Sequence, residues 1–489
     1  MMISRYSLLG LVWGFLGVLV IVAFPADAWQ ATVGVLMLGQ AYCGVIVLHR
    51  FRLTEKAVMP DFLTLMLLMQ LFSKTLTALG LVVSGNAAEA GMIGAVLAVR
   101  EIVPFEYQFQ AELVFLLAAI VFTLIWRRLE GKHPVSIMVE PAPRTMFMIY
   151  AVSLGTYLLL SAAGLLAALG MTAELLRLFS IGAIAVLLGG RTKYALGKPK
   201  SWLALLALFP LYVMALQTGM KGEAALVSLP ILLPIFRRMT LNRAMLLLGC
   251  AVVIVVFLFP FTQEWRKANW EHAGGSATQK TDIAEVASRV IARWERDGFT
   301  ETAAESAANW LTRGASAEQG GLVMQIAERD GLIGPVLIEG LASIFIPRFL
   351  WPGKPQYMPG AWFTWYLGKA DSPESATTST AMMLPTELYW MFGIPGVLIG
   401  MGLLGWLYFA TSRYLIQRAT LHLIPLVGYF AFLARASGLQ EIHTIYAASS
   451  PIVLLVYVMI FDRLQRAFFP GRLRKISKFK SLNEMIRRD

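Results

Sequence analysis

Long apolar runs separated by short polar connections dominate the pattern along the chain. A helix needs roughly 20 mostly apolar residues to cross the hydrocarbon core of a bilayer. Twelve runs meet or approach this length, so the pattern predicts an all-α integral membrane protein with about 12 transmembrane helices. The predicted spans are 7–24, 31–49, 60–83, 111–126, 145–169, 174–190, 201–217, 222–236, 244–262, 386–409, 421–437 and 445–462.

The pattern changes between the ninth and tenth predicted spans, where charged positions interrupt the apolar ones. Residues 282–296 repeat apolar side chains on one helical face and arginines on another, which predicts an amphipathic helix. The run 331–346 is apolar but contains Pro335 and Glu339, so we expect it to be interfacial or re-entrant. This part of the chain is therefore predicted to be one large, mainly helical loop.

Four parts follow from this pattern. The predicted parts are transmembrane helices 1–9 in residues 1–263, the large loop in 264–385, transmembrane helices 10–12 in 386–462 and a basic tail in 463–489.

Lysine and arginine are distributed unevenly between alternate connections. With the N-terminus inside, 26 of them fall on the inner side and only three in the short outer loops and helix ends. Because cytoplasmic loops carry the excess of positive charge, both termini are predicted to be cytoplasmic and the large loop to lie outside.

Composition supports the membrane assignment. The chain has 489 residues, is 57% hydrophobic and only 15% charged, with a mean hydropathy of +0.64, whereas soluble proteins are about 25% charged. These values exclude an ordinary cytosolic enzyme. The net charge of +12 follows from topology and the basic tail, so membrane lipids are expected partners and nucleic acid is not.

Basic residues near the predicted outer face are the first candidates for chemistry. Lys221 begins a predicted helix, a position that suits a phosphate group. Arg348 and Lys354 lie in a stiff segment with three prolines, and Arg313 lies in a stretch of small polar residues. A planar guanidinium suits bidentate contact with a diphosphate. The alternatives are a lysine that extends to the membrane surface and an interfacial aromatic anchor.

Three residues near the same face are candidates for acid–base chemistry. Glu387 lies at the outer start of the tenth span, and Glu441 and His443 share the loop before the twelfth. Histidine suits a general base near neutral pH, and Glu441 could orient it. Glu387 could instead only stabilise a helix start. The sequence contains no P-loop, dinucleotide or zinc motif, so neither a cofactor nor a metal is expected.

Three segments together resemble the O-antigen polymerase and O-antigen ligase superfamily. They are Thr218-Gly219-x-Lys221-Gly222, then Ile346-Pro347-Arg348-Phe349-Leu350-Trp351-Pro352-x-Lys354-Pro355, and Glu387-Leu388-Tyr389-x-x-Phe392-Gly393-x-x-Gly396. The similarity covers about residues 201–410, and Lys221 stands where the family usually has arginine.

This resemblance implies a metal-independent glycosyltransferase of the bacterial inner membrane, with the large loop on the periplasmic side. Its substrate would be an undecaprenyl-diphosphate-linked oligosaccharide, polymerised on the periplasmic face into O-antigen, capsule or exopolysaccharide. Outer basic residues would bind the diphosphate, and a chain-length regulator or flippase of the same pathway would be a partner. A ligase that transfers finished glycan remains an alternative, as does a flippase or other transporter, for which charged residues deep in the core would be expected.

Overall fold

The structure, a computed structural model, describes most of the chain. The described residues are 5–24, 26–53, 61–85, 103–130, 143–165, 171–189, 193–217, 226–232, 234, 260–261, 263–265, 268, 283–303, 305, 316–341, 346, 351, 358–373, 375–376, 380–419, 423–436, 439 and 443–468.

These residues form helices and connecting turns, without strands, which confirms the predicted all-α class. The helices are α1 (Arg5–Ala23), α2 (Ala28–Leu53), α3 (Phe62–Gly85), α4 (Phe105–Glu130), α5 (Pro143–Ala162), α6 (Met171–Gly189), α7 (Ser201–Leu206), α8 (Phe209–Gln217), α9 (Ile283–Asp297), α10 (Ser316–Asp330), α11 (Pro359–Tyr366), α12 (Leu384–Ala419), α13 (Leu423–Ala436) and α14 (Thr444–Phe468).

Six described helices are long and apolar enough to cross a membrane, as in a membrane-embedded protein. They are Ala28–Arg50, Phe62–Leu81, Phe105–Glu130, Pro143–Ala162, Leu384–Ala419 and Thr444–Leu464. Shorter apolar helices cover Leu8–Ala23, Leu175–Gly189, Ser201–Ala215 and Ile424–Leu433. These ten helical segments coincide with ten of the twelve predicted spans. Of the other two, 222–236 lies partly outside the described residues and 244–262 lies mostly outside them. The total of 12 spans stays a prediction.

Aromatic side chains from four helices form one buried cluster. Phe62 of α3 stacks on Phe432 of α13 with ring centroids 4.7 Å apart, and Tyr408 of α12 lies 4.9 Å from Phe62. Phe122 of α4 completes the group, 6.3 Å from Tyr408. All four side chains are buried. Rings at such separations pack favourably beyond the area they bury, so this cluster joins helices that are distant in sequence.

Two long helices of this bundle run in the same direction, which defines its two ends. A Cβ at Gly405 of α12 would lie 3.2 Å from the carbonyl oxygen of Phe122, and Phe409 contacts Trp126 one turn later. The helices α4 and α12 are therefore parallel, and their first turns share one end. We call this end, where α14 also begins, the site end.

A buried arginine joins three helices at the opposite end. Arg50 of α2 donates to both carboxylate oxygens of Glu130 in α4, at 2.7 and 2.8 Å. It also contacts Asp61 at 3.0 Å. Asp61 in turn accepts the backbone N–H of Thr64 at 3.0 Å and so caps α3. This paired cluster fixes the termini of α2, α3 and α4.

Part of the predicted loop packs on the bundle. The helix α10 lies against the first turns of α4, where a Cβ at Gly320 would be 2.7 Å from the Phe115 ring and one at Gly321 3.0 Å from the Gln108 nitrogen. A larger residue at Gly320 would displace the Phe115 ring, and one at Gly321 would press on the backbone of α4. The following segment forms only a short 3-10 helix over Gly334–Leu337, so the structure has no long helix across the described part of 331–346.

Glycine divides α12 into two pieces. Gly393 has φ 67° and ψ −158°, a backbone region that is essentially restricted to glycine. Residues 384–392 therefore form a short helix that meets the long piece at an angle, with Pro395 just beyond the bend. A Cβ at Gly396 would lie 2.5 Å from the carbonyl oxygen of Leu388. These two glycines of the predicted motif thus hold the short piece, which carries Glu387, against the long one.

Candidate functional site

The structure brings Glu387 and His443 into direct contact at the site end. His443 Nδ1 lies 2.8 Å from Glu387 Oε2. The second carboxylate oxygen, Oε1, accepts the backbone N–H of Thr444 at 3.0 Å. Two residues that are 56 positions apart in sequence, and that were both predicted as acid–base candidates, therefore form one hydrogen-bonded dyad.

Local structure holds both partners of the dyad in place. Met383 has φ 60° just before α12, and Glu387 N–H donates to its carbonyl oxygen at 2.9 Å. The carbonyl oxygen of His443 accepts the N–H groups of Tyr446 and Ala447, both at 2.9 Å. His443 thus stands at the first turn of α14, where the positive end of the helix dipole favours a nearby carboxylate. Glu387 lies in the first turn of α12, and its carboxylate accepts a backbone N–H from the first turn of α14.

The two side chains of the dyad differ in their exposure to solvent, and this gives them different chemical roles. The Glu387 side chain is fully buried, whereas that of His443 remains 11% exposed. With both carboxylate oxygens accepting hydrogen bonds, Glu387 favours the His443 tautomer that carries its proton on Nδ1. The other ring nitrogen, Nε2, then has a free lone pair. This is the arrangement by which a carboxylate orients a histidine that acts as a general base.

The remaining predicted site residues lie outside the described part of the chain. These are Lys221, Arg313, Arg348 and Lys354, predicted for diphosphate binding, and Glu441, predicted to orient His443. Among the described residues, the carboxylate that contacts His443 is that of Glu387. Two residues of the segment from Ile346 to Pro355 are described, Ile346 and Trp351, and both are exposed.

The arginines of the amphipathic helix α9 are paired with acidic residues. Arg289 contacts Glu285 one turn earlier at 2.8 Å, as the sequence spacing predicts. Arg293, expected on the polar face, is instead buried and contacts Glu264 at 3.1 Å and Glu305 at 2.5 Å. It stabilises the local packing of this segment because its guanidinium reaches carboxylates on both sides of α9.

The lysine inside the third span also has a partner. Lys74 Nζ lies 2.5 Å from Glu112 Oε2 of α4, with both side chains almost completely buried. The stem of Lys74 fills the space beside Gly39 of α2, where a Cβ would be 2.7 Å from Lys74 Cδ. The sequence places Lys74 inside a predicted span, where a charge is costly, but it does not indicate which residue pairs with it.

Sequence reasoning also missed an aromatic cluster joined to the dyad. Trp390, three residues after Glu387, is buried against Trp362, Phe363 and Tyr366 of α11, with ring centroids 5.1 to 5.9 Å apart. The aromatic run of α11 was visible in the sequence, but nothing there indicated its contact with α12.

Comparison of the chain with protein-family models, with curated proteins and with solved structures gave no match. Within the described residues, no group of three or more His, Cys, Asp or Glu side chains could hold a metal ion.

Proposed function

We propose that this protein is a bacterial membrane glycosyltransferase that polymerises undecaprenyl-diphosphate-linked oligosaccharide repeat units on the periplasmic face of the inner membrane. The products would be O-antigen, capsule or exopolysaccharide chains. The observation that carries the proposal is the Glu387–His443 dyad at the end of a bundle of apolar helices. The dyad supplies an oriented general base at the depth where the polar head group of a membrane-anchored substrate would lie.

In this reaction a hydroxyl of the acceptor glycan attacks the anomeric carbon of the donor sugar. The new C–O bond forms as the bond between that carbon and the diphosphate breaks, and the lipid diphosphate leaves with the electron pair. His443 Nε2 takes the proton of the attacking hydroxyl. Glu387 holds the imidazole in the required tautomer and stabilises the imidazolium that results.

The diphosphate is already a good leaving group, so the protein mainly has to position it and stabilise its developing charge. We assign this role to Lys221, Arg313, Arg348 and Lys354 on the basis of the sequence resemblance. No metal takes part in this scheme. A chain-length regulator or flippase of the same pathway would be the protein partner.

Substitution of the dyad tests the proposal in the producing cells. We expect His443→Ala to abolish long glycan chains while single-repeat material and the amount of protein in the membrane stay unchanged. Glu387→Gln should slow polymerisation strongly, because the amide accepts less well from Nδ1–H. His49→Ala is the control. His49 is exposed near the end of α2 and lies next to Arg50, at the end of the bundle opposite the dyad. Gel electrophoresis of the cell-surface glycan gives the chain-length pattern.

Wild-type chain lengths in His443→Ala, at equal expression, would remove the dyad from the mechanism. Loss of all attached glycan, including single-repeat material, would instead indicate a ligase or a flippase.

A transporter is the second candidate because of the Lys74–Glu112 pair. A flippase for lipid-linked oligosaccharide is expected to contain charged residues deep in its core, and this pair is buried between α3 and α4. Deletion of the gene separates the two candidates. A polymerase deletion leaves single-repeat glycan on the cell surface, whereas a flippase deletion leaves none.

A further inference from the structure

Three aromatic residues of α11 form a surface beside the dyad, which we call the aromatic platform. It consists of Trp362, Trp365 and Tyr366. The Trp362 and Tyr366 rings lie 5.3 Å apart at 31°, and Trp365 lies 6.3 Å from Trp362. Trp365 is 40% exposed, and the other two are half-buried. The aromatic surface that the platform exposes is therefore mainly that of Trp365.

Charged groups border the platform. The Tyr366 hydroxyl donates to Asp330 Oδ2 at 2.7 Å, and Arg329 donates to both oxygens of Asp330, each at 2.7 Å. These hydrogen bonds lower the pKa of Asp330 to about 2, and those from Arg329 have the largest effect. The carboxylate is therefore ionised at any physiological pH and can accept further hydrogen bonds on its exposed side.

This combination distinguishes the platform from an aromatic belt in a bilayer interface. Belt residues adjoin an apolar surface, whereas Tyr366 of the platform is hydrogen-bonded to Asp330, at a helix end where Glu328, Arg329 and Asp330 are all exposed. The turn after α11 exposes Lys369 and Asp371 as well. A ligand with one apolar face and a ring of hydroxyl groups would match both the aromatic faces and the charged border.

The platform is joined rigidly to the dyad through Trp390. The Trp390 ring packs on Trp362 and Tyr366, and its Nε1 donates to the carbonyl oxygen of Gly331 at 3.2 Å. The backbone N–H of Ile333 donates to the Trp390 carbonyl oxygen at 3.1 Å. Because Trp390 and Glu387 belong to the same short helical piece, a ligand on the platform would be held in a fixed relation to His443.

We propose that the aromatic platform is a carbohydrate subsite, in which Trp365 stacks on a sugar ring and Asp330 accepts hydrogen bonds from the sugar hydroxyls. It rests on the proposed function, because the glycan being extended supplies the sugar. A pyranose ring has an apolar C–H face that fits an aromatic ring, and hydroxyl groups at its edge that a carboxylate binds in charge-assisted hydrogen bonds. The subsite would keep the growing chain near His443 between additions.

Binding without turnover tests the subsite. The probe is the repeat-unit oligosaccharide, released by mild acid from the lipid carrier of the producing cells and titrated calorimetrically into the purified full-length protein. We expect Trp365→Ala to weaken the affinity about three- to tenfold, as for the loss of one aromatic stacking contact. Trp365→Phe should retain part of the affinity. Asp330→Asn should weaken binding, because the hydrogen bonds to the sugar lose their charge assistance.

Trp202→Ala is the matched control, since Trp202 of α7 is even more exposed, at 58%, and lies outside the site. It should bind like wild type. The subsite is overturned if wild-type protein does not bind the oligosaccharide, if Trp365→Ala binds it as tightly as wild type, or if both tryptophan variants lose equal affinity. A deletion strain that loses all attached glycan, including single-repeat material, would overturn the proposed function but leave this binding result unaffected.

Discussion

At the scale of single residues, the dyad and the buried pair show opposite uses of charge. Glu387 is buried, but its carboxylate is compensated by Thr444 N–H and His443 Nδ1, and His443 keeps an exposed edge. Lys74 and Glu112 compensate each other and are both sealed from solvent. The first arrangement leaves a reactive nitrogen available, and the second forms a link between α3 and α4.

Because Lys74 and Glu112 are buried as a pair, we expect loss of one partner to destabilise the protein more than replacement of both. Lys74→Met alone should lower the free energy of unfolding by about 3–5 kcal/mol, because it leaves the Glu112 carboxylate buried without its cation. The double variant Lys74→Met/Glu112→Leu should recover most of this loss, since two apolar side chains pack without a desolvation cost. Unfolding of the purified protein in mixed micelles with increasing denaturing detergent measures both.

A surface pair provides the control for this experiment. Arg289→Met removes an ion pair whose side chains are 31% and 39% exposed, so the change should be less than about 1 kcal/mol. Equal effects of Lys74→Met and Arg289→Met would contradict a structural role for the buried pair.

At the scale of elements, α12 is the helix on which the site depends. Its short first piece carries both Glu387 and Trp390, and the bend at Gly393 sets the direction of that piece. The contact between Gly396 and the Leu388 carbonyl then fixes it against the long piece. The geometry of the dyad is therefore decided by two glycines that take no part in chemistry.

Two glycines of α12 should consequently respond differently to alanine. In Gly396→Ala the new Cβ overlaps the backbone of Leu388, so the short piece must shift, and we expect a loss of stability of about 1–3 kcal/mol together with shortened glycan chains. At Gly402 a Cβ would meet its nearest neighbour at an ordinary 3.9 Å, so Gly402→Ala should be neutral. Detergent unfolding and glycan gels compare the two variants, and equal behaviour would refute the tight contact.

At the scale of the whole molecule, the bundle has two chemically different ends. The site end contains the dyad and the start of α4, α12 and α14, and the opposite end contains the Arg50 cluster. A polymerase that acts on flipped substrate requires the site end to face the periplasm. This orientation is the one that the distribution of lysine and arginine predicts.

Reporter fusions test that orientation. A periplasm-active and a cytoplasm-active reporter fused after residue 300 and after residue 480 should report opposite compartments, periplasmic and cytoplasmic respectively. The same compartment for both positions would refute the predicted topology, and with it the placement of the dyad in the periplasm.

The amino-acid sequence alone determines the helical, membrane-embedded character of the protein, because apolar composition and run length act locally along the chain. It also singled out Glu387 and His443, since titratable residues are conspicuous next to apolar spans. The diphosphate-binding residues and the enzymatic activity remain predictions. So does the total number of spans, because two of the predicted runs are only partly described.

Contacts between distant parts of the chain were decided only by the tertiary structure. Glu387 contacts His443 and Lys74 contacts Glu112 across 56 and 38 positions. The Tyr366 hydroxyl similarly finds Asp330 across 36 positions. Which helix faces which depends on the packing of nearly uniform apolar surfaces, and steric fit at residues such as Gly320 and Gly405 selects the neighbours. The pattern of apolar positions carries no information on that fit, so the contacting residues are known only once the helices are packed.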